Sequence, residues 1–397
     1  MCGLVNISMK EILFPDGLKK FLYKLQHWET WHWLIKYIPM VPFWIGHCIK
    51  ARSPWFFTAS NPTLTFGGYE GESKIEMYKQ LPAGTYPKTI LIQASMTRQH
   101  VKDLALSEGF SFPLAVKPDI GRMGFMFRRI HSMTELVQYH ENIKVDYLLQ
   151  EFVHHPLEVS VFYYRFPNEK RGTITGFVKK EHLSVTGDGV STLQELMMNY
   201  PRVQFRLDEM QLKHAATLHD IIPLGQTYIL CQALNLSRGG KLISLEHEKD
   251  EKLLTVIDNI SRAGNFYFGR YDIKCESIES LKNGNNFSIL EFNGSGAEPH
   301  HVYGNGNSLI KAIKILLWHW NILYEISLAN HKKGIAYWSF AQGLRHMVKV
   351  RKHIKLLRKL EFSSTHLRHQ IATQNIEKNK ADILRPYGLR VNKSVQT

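Results

Sequence analysis

Gly269-Arg270-Tyr271-Asp272-Ile273-Lys274 and Phe287-Ser288-Ile289-Leu290-Glu291-Phe292-Asn293-Gly294, separated by a turn signal at Asn283-Gly284, decide the fold of this 397-residue chain. Arg270, Asp272 and Lys274 alternate with apolar neighbours, the period of a strand with one buried face. Glu291 and Asn293 share a face in the second stretch. Antiparallel pairing would bring Asp272 opposite both. Two carboxylates and an amide oxygen form an all-oxygen set that suits a hard cation such as magnesium. Like carboxylates are costly to bring together without a cation. A pair of surface strands with ordinary solvated acids satisfies the same spacing.

Outward from this pair, the chain reads as short strands and helices. Strands are predicted over 112–118, 147–153, 157–165 and 172–182, with Val159, Val161 and Tyr163 on one face of the third. Thr186-Gly187-Asp188-Gly189 is a turn. Ser191 is expected to cap a helix reaching Tyr200, with Gln194 completing a capping box. Further strands are predicted over 228–236, 266–276 and 287–293, and helices over 251–263 and 308–328.

Two upstream segments carry candidate chemistry. Lys117 ends a strand, and Gly121-Arg122-Met123-Gly124 follows. Glycines let backbone N–H groups approach phosphates, and a lysine adds a point charge; an exposed strand-end lysine reads the same way. Gln150-Glu151-Phe152-Val153 ends another strand, and Glu158 stands seven residues after Glu151. Such a segment presents backbone groups to an adenine edge and a carboxylate to ribose hydroxyls, or is a strand end with two exposed acids.

In this order, the three pieces resemble the ATP-grasp superfamily, in its D-alanine–D-alanine ligase and cyanophycin synthetase branches. The resemblance runs from about Gly71 to Leu328 and includes Val185-Thr186-Gly187-Asp188-Gly189-Val190-Ser191-Thr192, similar to a segment of cyanophycin-synthetase-like members. It implies an α+β fold in which two α+β subdomains clamp ATP. It also implies roles. Lys117 contacts the ATP phosphates and the loop from Gly121 to Gly124 closes over them. Glu151 and Val153 hold adenine, and Glu158 binds ribose. Asp272, Glu291 and Asn293 bind magnesium, for which manganese can substitute. Arg270 neutralises the transferring phosphoryl group or the tetrahedral intermediate. Lys74 matches an additional family lysine loosely, and Lys179 or Lys180 reaches phosphate from a mobile loop. The implied activity joins a carboxylate to an amine through an acyl phosphate, with small-molecule substrates.

Departures leave the substrates open. The amino-terminal third does not resemble the first domain of D-alanine–D-alanine ligases. Gly294-Ser295-Gly296-Ala297-Glu298-Pro299-His300-His301 departs from the ligase sequence where the acceptor pocket should lie. Arg238, beside Gly239 and Gly240, is either a substrate-carboxylate ligand or a turn-flanking surface residue, and His154 and His155 read as solvated loop residues. A nucleotide-binding scaffold or sensor without turnover, associated with a membrane, is the alternative; the intact Lys117, Asp272, Glu291 and Asn293 set favours the enzyme.

The net charge of +15 is uneven. Residues 331–397 hold 15 Lys+Arg against 3 Asp+Glu, a net of +12, which leaves +3 for residues 1–330. The domains expected are therefore an aromatic extension over 1–70, an ATP-grasp body over 71–328 and a basic helical tail over 329–397. Within the tail Phe340, Leu344, Met347, Val350, Ile354, Leu357 and Leu360 recur at helical spacing. That stripe packs on the body, while the interspersed lysines and arginines suit an anionic membrane surface. Residues 31–49, rich in Trp and Tyr but broken by Pro39 and Pro42, read either as packed on the body or as an interfacial anchor, not as a spanning helix. The body shows no zinc finger, aromatic RNA-binding motif or basic stripe for nucleic acid. Four scattered cysteines and no signal-peptide core point to a reduced cytoplasmic protein, peripheral to the inner membrane face. The oligomeric state is not legible.

Overall fold

Residues 28, 31, 33–200, 203, 207–231, 240–304 and 306–384 are described in a computed structural model of the chain. Three helical segments come first: α1 (Trp33–Tyr37), α2 (Val41–Ala51) and α3 (Lys74–Tyr78). A four-stranded sheet follows, of β1 (Thr89–Ile92), β2 (Leu114–Pro118), β3 (Arg128–Ile130) and β4 (Tyr147–Glu151), ordered β1-β4-β2-β3 and antiparallel throughout. Its helices are α4 (Arg98–Ser107) and α5 (Met133–Asn142). Each starts at a hydroxyl cap, Thr97 and Ser132 accepting from the third backbone N–H. Val101 and Ala105 of α4 and Leu136 and Tyr139 of α5 share a core with Ile92, Val116 and Leu149.

The second sheet begins with β5 (Leu157–Tyr164) and β6 (Thr173–Glu181). A ribbon of β7 (Leu183–Thr186) and β8 (Thr227–Cys231) interrupts it, with α6 (Leu193–Asn199) in between. The sheet resumes with β9 (Lys241–Ser244), then α7 (Glu251–Ala263), β10 (Phe268–Cys275) and β11 (Phe287–Asn293). The order is β11-β10-β5-β6-β9, again antiparallel. Tyr271, Ile273 and Cys275 are buried in one core with Leu253, Ile257 and Ile260 of α7. Alternation therefore sends Arg270, Asp272 and Lys274 to the opposite face.

The pairing of β10 with β11 is irregular in one place. Asp272 pairs with Glu291 and Ile273 with Ile289, so Leu290 is an extra residue on β11. This β-bulge keeps Ile289 in the core while turning Glu291 and Asn293 toward the Asp272 face. Asn293 pairs with Arg270 rather than with Asp272, so it reaches Asp272 diagonally.

The helix after the Thr186–Gly189 turn is capped one residue later than expected. Thr192 is the N-cap, with Glu195 completing a reciprocal capping box. Ser191 instead donates to the Asp188 carboxylate, which also accepts the Val190 and Ser191 N–H groups. That acid takes Ser191 into the turn. Of the strand expected over 228–236, only the part to Cys231 lies within the described residues, and Arg238 and Gly239 lie outside them.

Two helices close the described chain, α8 (Leu309–Lys332), capped by Ser308, and α9 (Phe340–Leu384). Val350 and Leu357 of α9 are buried, and Leu357, Ile354 and Leu360 join the core of the first sheet. Phe340 and Leu344, the first two residues of the expected apolar stripe, are exposed instead. Lys349, Arg351, Lys352, Lys355, Arg358 and Lys359 face outward. At the other end, Trp44 packs among Phe56, Phe57 and Trp320. No helix among the described residues is long and apolar enough to cross a membrane.

Candidate active site

The site is built on the face of the second sheet that β10 leaves free of the core. Register places Glu158 and Ser160 of β5 beside Lys274 and Asp272, and Lys180 of β6 beside Glu158. Arg270 donates from Nε and Nη2 to the two oxygens of Asp272, each at 3.0 Å. Lys180 Nζ lies 3.1 Å from Asp272 Oδ1 and 3.0 Å from Glu158 Oε1. Ser160 donates its hydroxyl to Asp272 Oδ1, and Asn293 Nδ2 stands 3.4 Å from Oδ2. Burial alone would raise the Asp272 pKa, but Arg270 and Lys180 outweigh it and hold the carboxyl far below the usual range. Asp272 is thus ionised at any working pH.

Glu291 is the second carboxylate. Burial raises its pKa, yet Lys74, 3.2 Å away, holds it below the ordinary value. Lys74 also donates to the carbonyl of Gly121 at 3.0 Å, which ties the glycine loop to the second sheet. Lys117 Nζ stands 2.9 Å from the Tyr78 hydroxyl and 3.2 Å from the carbonyl of Leu290. That carbonyl belongs to the bulge residue, so the same irregularity positions Glu291 and anchors Lys117. Burial and the neighbouring Lys74 push the Lys117 pKa down to about 8. Four cations, Lys74, Lys117, Lys180 and Arg270, therefore stand around Asp272 and Glu291. Glu158, bound to Lys180, and Glu72, beside Lys74, are further carboxylates around these cations.

The candidate nucleotide segment is less open. The Glu151 N–H already donates to Lys88 O, and Lys274 Nζ donates to Val153 O at 3.2 Å. Glu158 faces the site but is paired with Lys180. Phe152 lies between them, with the Arg129 guanidinium 4.2 Å and the Lys274 ammonium 5.6 Å from its ring centroid. A flat ring lined by cations suits a stacked base beside phosphates. In the glycine loop Gly124 has a positive φ of 68°. The loop is braced from outside: His353 bonds the carbonyl of Ile120 at 2.8 Å, and Glu361 accepts from the N–H of Met126 at 2.7 Å.

The side where the sequence places an acceptor pocket is bordered by the segment after β11. Arg270 Nη1 donates to the Glu298 carbonyl at 2.9 Å. The Glu298 carboxylate accepts from Tyr37 of α1 at 2.7 Å and from Tyr303, so the amino-terminal extension forms part of this wall. His300 Nδ1 is 3.2 Å from Ser160 Oγ. Burial and Arg270 keep the His300 imidazole neutral, its pKa well below the ordinary value. His154 lies against the edge of Phe152.

Asp272, Glu291, Asn293, Arg270, Lys117, Lys74 and Lys180 thus come together. Lys180 rather than Lys179 turns inward, and it does so from strand β6 rather than from a loop; Lys179 pairs with Glu181 at 2.8 Å. Sequence reasoning missed Tyr78, Ser160 and Tyr37, because a hydroxyl on a strand, a short helix or an apolar segment carries no spacing signal. Among the described residues no three His, Cys, Asp or Glu form a metal-binding group. Two carboxylates and an amide fit a cation that keeps water and phosphate oxygens for its remaining positions.

Strands, loop and clustered charges repeat the order expected from the sequence. The chain resembles ATP-grasp ligases. A bifunctional glutathione synthetase from Pasteurella multocida matches over 64% of this chain and 38% of its own, at 16% identity and a TM-score of 0.39. A D-alanine–D-alanine ligase from Bacillus anthracis matches over 66% and 68%, at 15% identity and 0.36. The VanG D-Ala:D-Ser ligase from Enterococcus faecalis matches over 64% and 61%, at 13% identity and 0.36. The chain thus spans little more than a third of the glutathione synthetase. No protein-family model matches it, and no curated protein matches its sequence.

Lys117→Ala is expected to weaken ATP binding by about tenfold or more, the effect of removing one charged phosphate contact. Calorimetry with ATP would check it, and an unchanged affinity would reject the phosphate role of Lys117.

Proposed function

We propose that the chain is an ATP- and magnesium-dependent ligase that joins a carboxylate to an amine through an acyl phosphate. One observation carries this reading: Asp272 and Glu291 sit at paired positions of β10 and β11, with Arg270, Lys180, Lys74 and Lys117 around them.

A carboxylate is a poor electrophile. Its oxygen attacks the γ-phosphorus of ATP, the bond to the β-phosphate oxygen breaks, and ADP leaves. The amine then attacks the carbonyl carbon, phosphate leaves, and the amine gives up a proton as the amide forms. Asp272, Glu291 and Asn293 would hold magnesium, which would supply charge compensation for the phosphates. The residues do the positioning. Lys117 and the Gly121–Gly124 loop hold phosphate oxygens. Lys74 and Lys180 release Glu291 and Asp272 and turn their ammonium groups to phosphate. Arg270 stabilises the charge of the transferring group and of the tetrahedral adduct. Phe152, Glu151, Val153 and Glu158 receive the base and ribose.

ADP release screened against amino acids, dipeptides and hydroxy acids, with ATP and magnesium, tests the proposal. Release that requires both a carboxylate and an amine, with formation of the amide, is expected. ATP binding without release on any pair would favour the nucleotide-binding scaffold.

A further inference from the structure

The helical segment over residues 33–51 has two apolar sides, and among the described residues only one is packed. Tyr37 and Trp44 lie against Trp320 of α8, and His47 stacks on Tyr324. On the other side Ile35, Ile38, Ile45 and Ile49 are 56, 61, 50 and 71% exposed. With Val41, also exposed, they recur at steps of 3, 3, 4 and 4 residues, a stripe that runs from α1 across the 3-10 turn Ile38–Met40 into α2. A β-carbon added at Gly46 would meet nothing within 4 Å. A continuous aliphatic stripe facing water marks a contact surface.

Charge selects the occupant. Between Glu29 and Glu70 the sequence has no acidic residue but carries Lys36, Lys50 and Arg52. Between Glu298 and Glu325 it has none either, and Lys311 and Lys314 of α8 are exposed. Between Glu325 and Glu361 it has none, against nine Lys+Arg. These stretches adjoin in space. Trp44 of α2 lies on Trp320 of α8, and Trp55, just past α2, stacks on Phe340 at the start of α9. An aliphatic stripe set among helices with cations and almost no anions complements acyl chains beneath negative headgroups.

We propose that α1 and α2 lie flat on an anionic phospholipid surface. Ile35, Ile38, Val41, Ile45 and Ile49 enter the acyl boundary, and Lys50, Lys311 and Lys314 meet the headgroups. From Val350 onward the apolar stripe of α9 takes no part, because it is packed on the body, but the outward lysines of α9 add to the field. This inference goes beyond the ligase reading and does not depend on it.

Co-sedimentation of the full chain with phosphatidylcholine vesicles, with and without phosphatidylglycerol, tests it. Pelleting is expected only when phosphatidylglycerol is present and should fall as salt is raised. Ile38→Glu/Ile45→Glu, two outward changes, should lower vesicle affinity by about a hundredfold, roughly tenfold for each lost apolar side chain. Should that variant not fold, Lys50→Glu reads the same question on an exposed charge. No pelleting of wild type, equal pelleting with neutral vesicles, or equal pelleting of the folded variants would overturn the proposal. So would a lipid-free dimer of wild type that Ile38→Glu/Ile45→Glu dissociates, since the stripe would then be covered by a second copy.

Discussion

Asp272→Asn is expected to abolish turnover and to cost about 3–5 kcal/mol of stability at once, because it removes the partner of two buried cations. Arg270 and Lys180 both bind the Asp272 carboxylate directly, and an amide takes the bidentate partner from Arg270 and leaves Lys180 to Glu158 alone. The stabilisation has a defined pH window. The folded-state pKa of Asp272 lies far below its ordinary 3.8. Its contribution is therefore complete above the ordinary carboxylate range and fades below it, as pH falls toward the folded-state pKa. Glu291→Gln separates the two effects. Glu291 is 31% exposed and has one close ion partner, Lys74, so its stability cost is small while turnover falls by about a thousandfold. Urea denaturation and ADP release on the same preparations check both. Wild-type ATPase and ligase rates in Glu291→Gln would remove it from magnesium binding.

Gly269→Ala should damage the site through a single methyl. Its new carbon would sit 2.3 Å from the Asn293 carbonyl oxygen and 2.6 Å from Phe292 Cζ. A backbone carbonyl cannot yield without parting β10 from β11, so Asn293 moves away from Asp272. A loss of about 2–3 kcal/mol or more is expected in denaturant unfolding, with activity falling further than stability explains. Gly46→Ala is the control: it meets open space within α2 and should be neutral or stabilising by about 0.5–1 kcal/mol.

The strands carrying the site were legible because alternation is a property of one strand. Arg270, Asp272 and Lys274 face one way whatever they pair with, and β11 keeps the predicted bounds Phe287–Asn293. Properties of two strands were not legible. Nothing in Ile289-Leu290-Glu291 marks Leu290 as the bulge, since its extra place appears only in register with β10. Lys179 and Lys180 are indistinguishable in sequence; pairing with Glu158 decides which faces inward. The Thr192 cap was displaced because Asp188 competes for Ser191. Tyr37 reaches Glu298 across 261 residues of chain, a distance at which no local pattern survives.

The glycine loop is braced by the last part of the described chain, and this orders events during synthesis. Ile120 and Met126 leave the ribosome more than 200 residues before His353 and Glu361, with separations of 233 and 235. The first sheet can pair its strands early, since β1 to β4 span residues 89–151. Its glycine loop cannot gain its outer brace until α9 has emerged. A nascent chain halted before Glu361 thus presents a folded sheet with a loop whose final anchors do not yet exist.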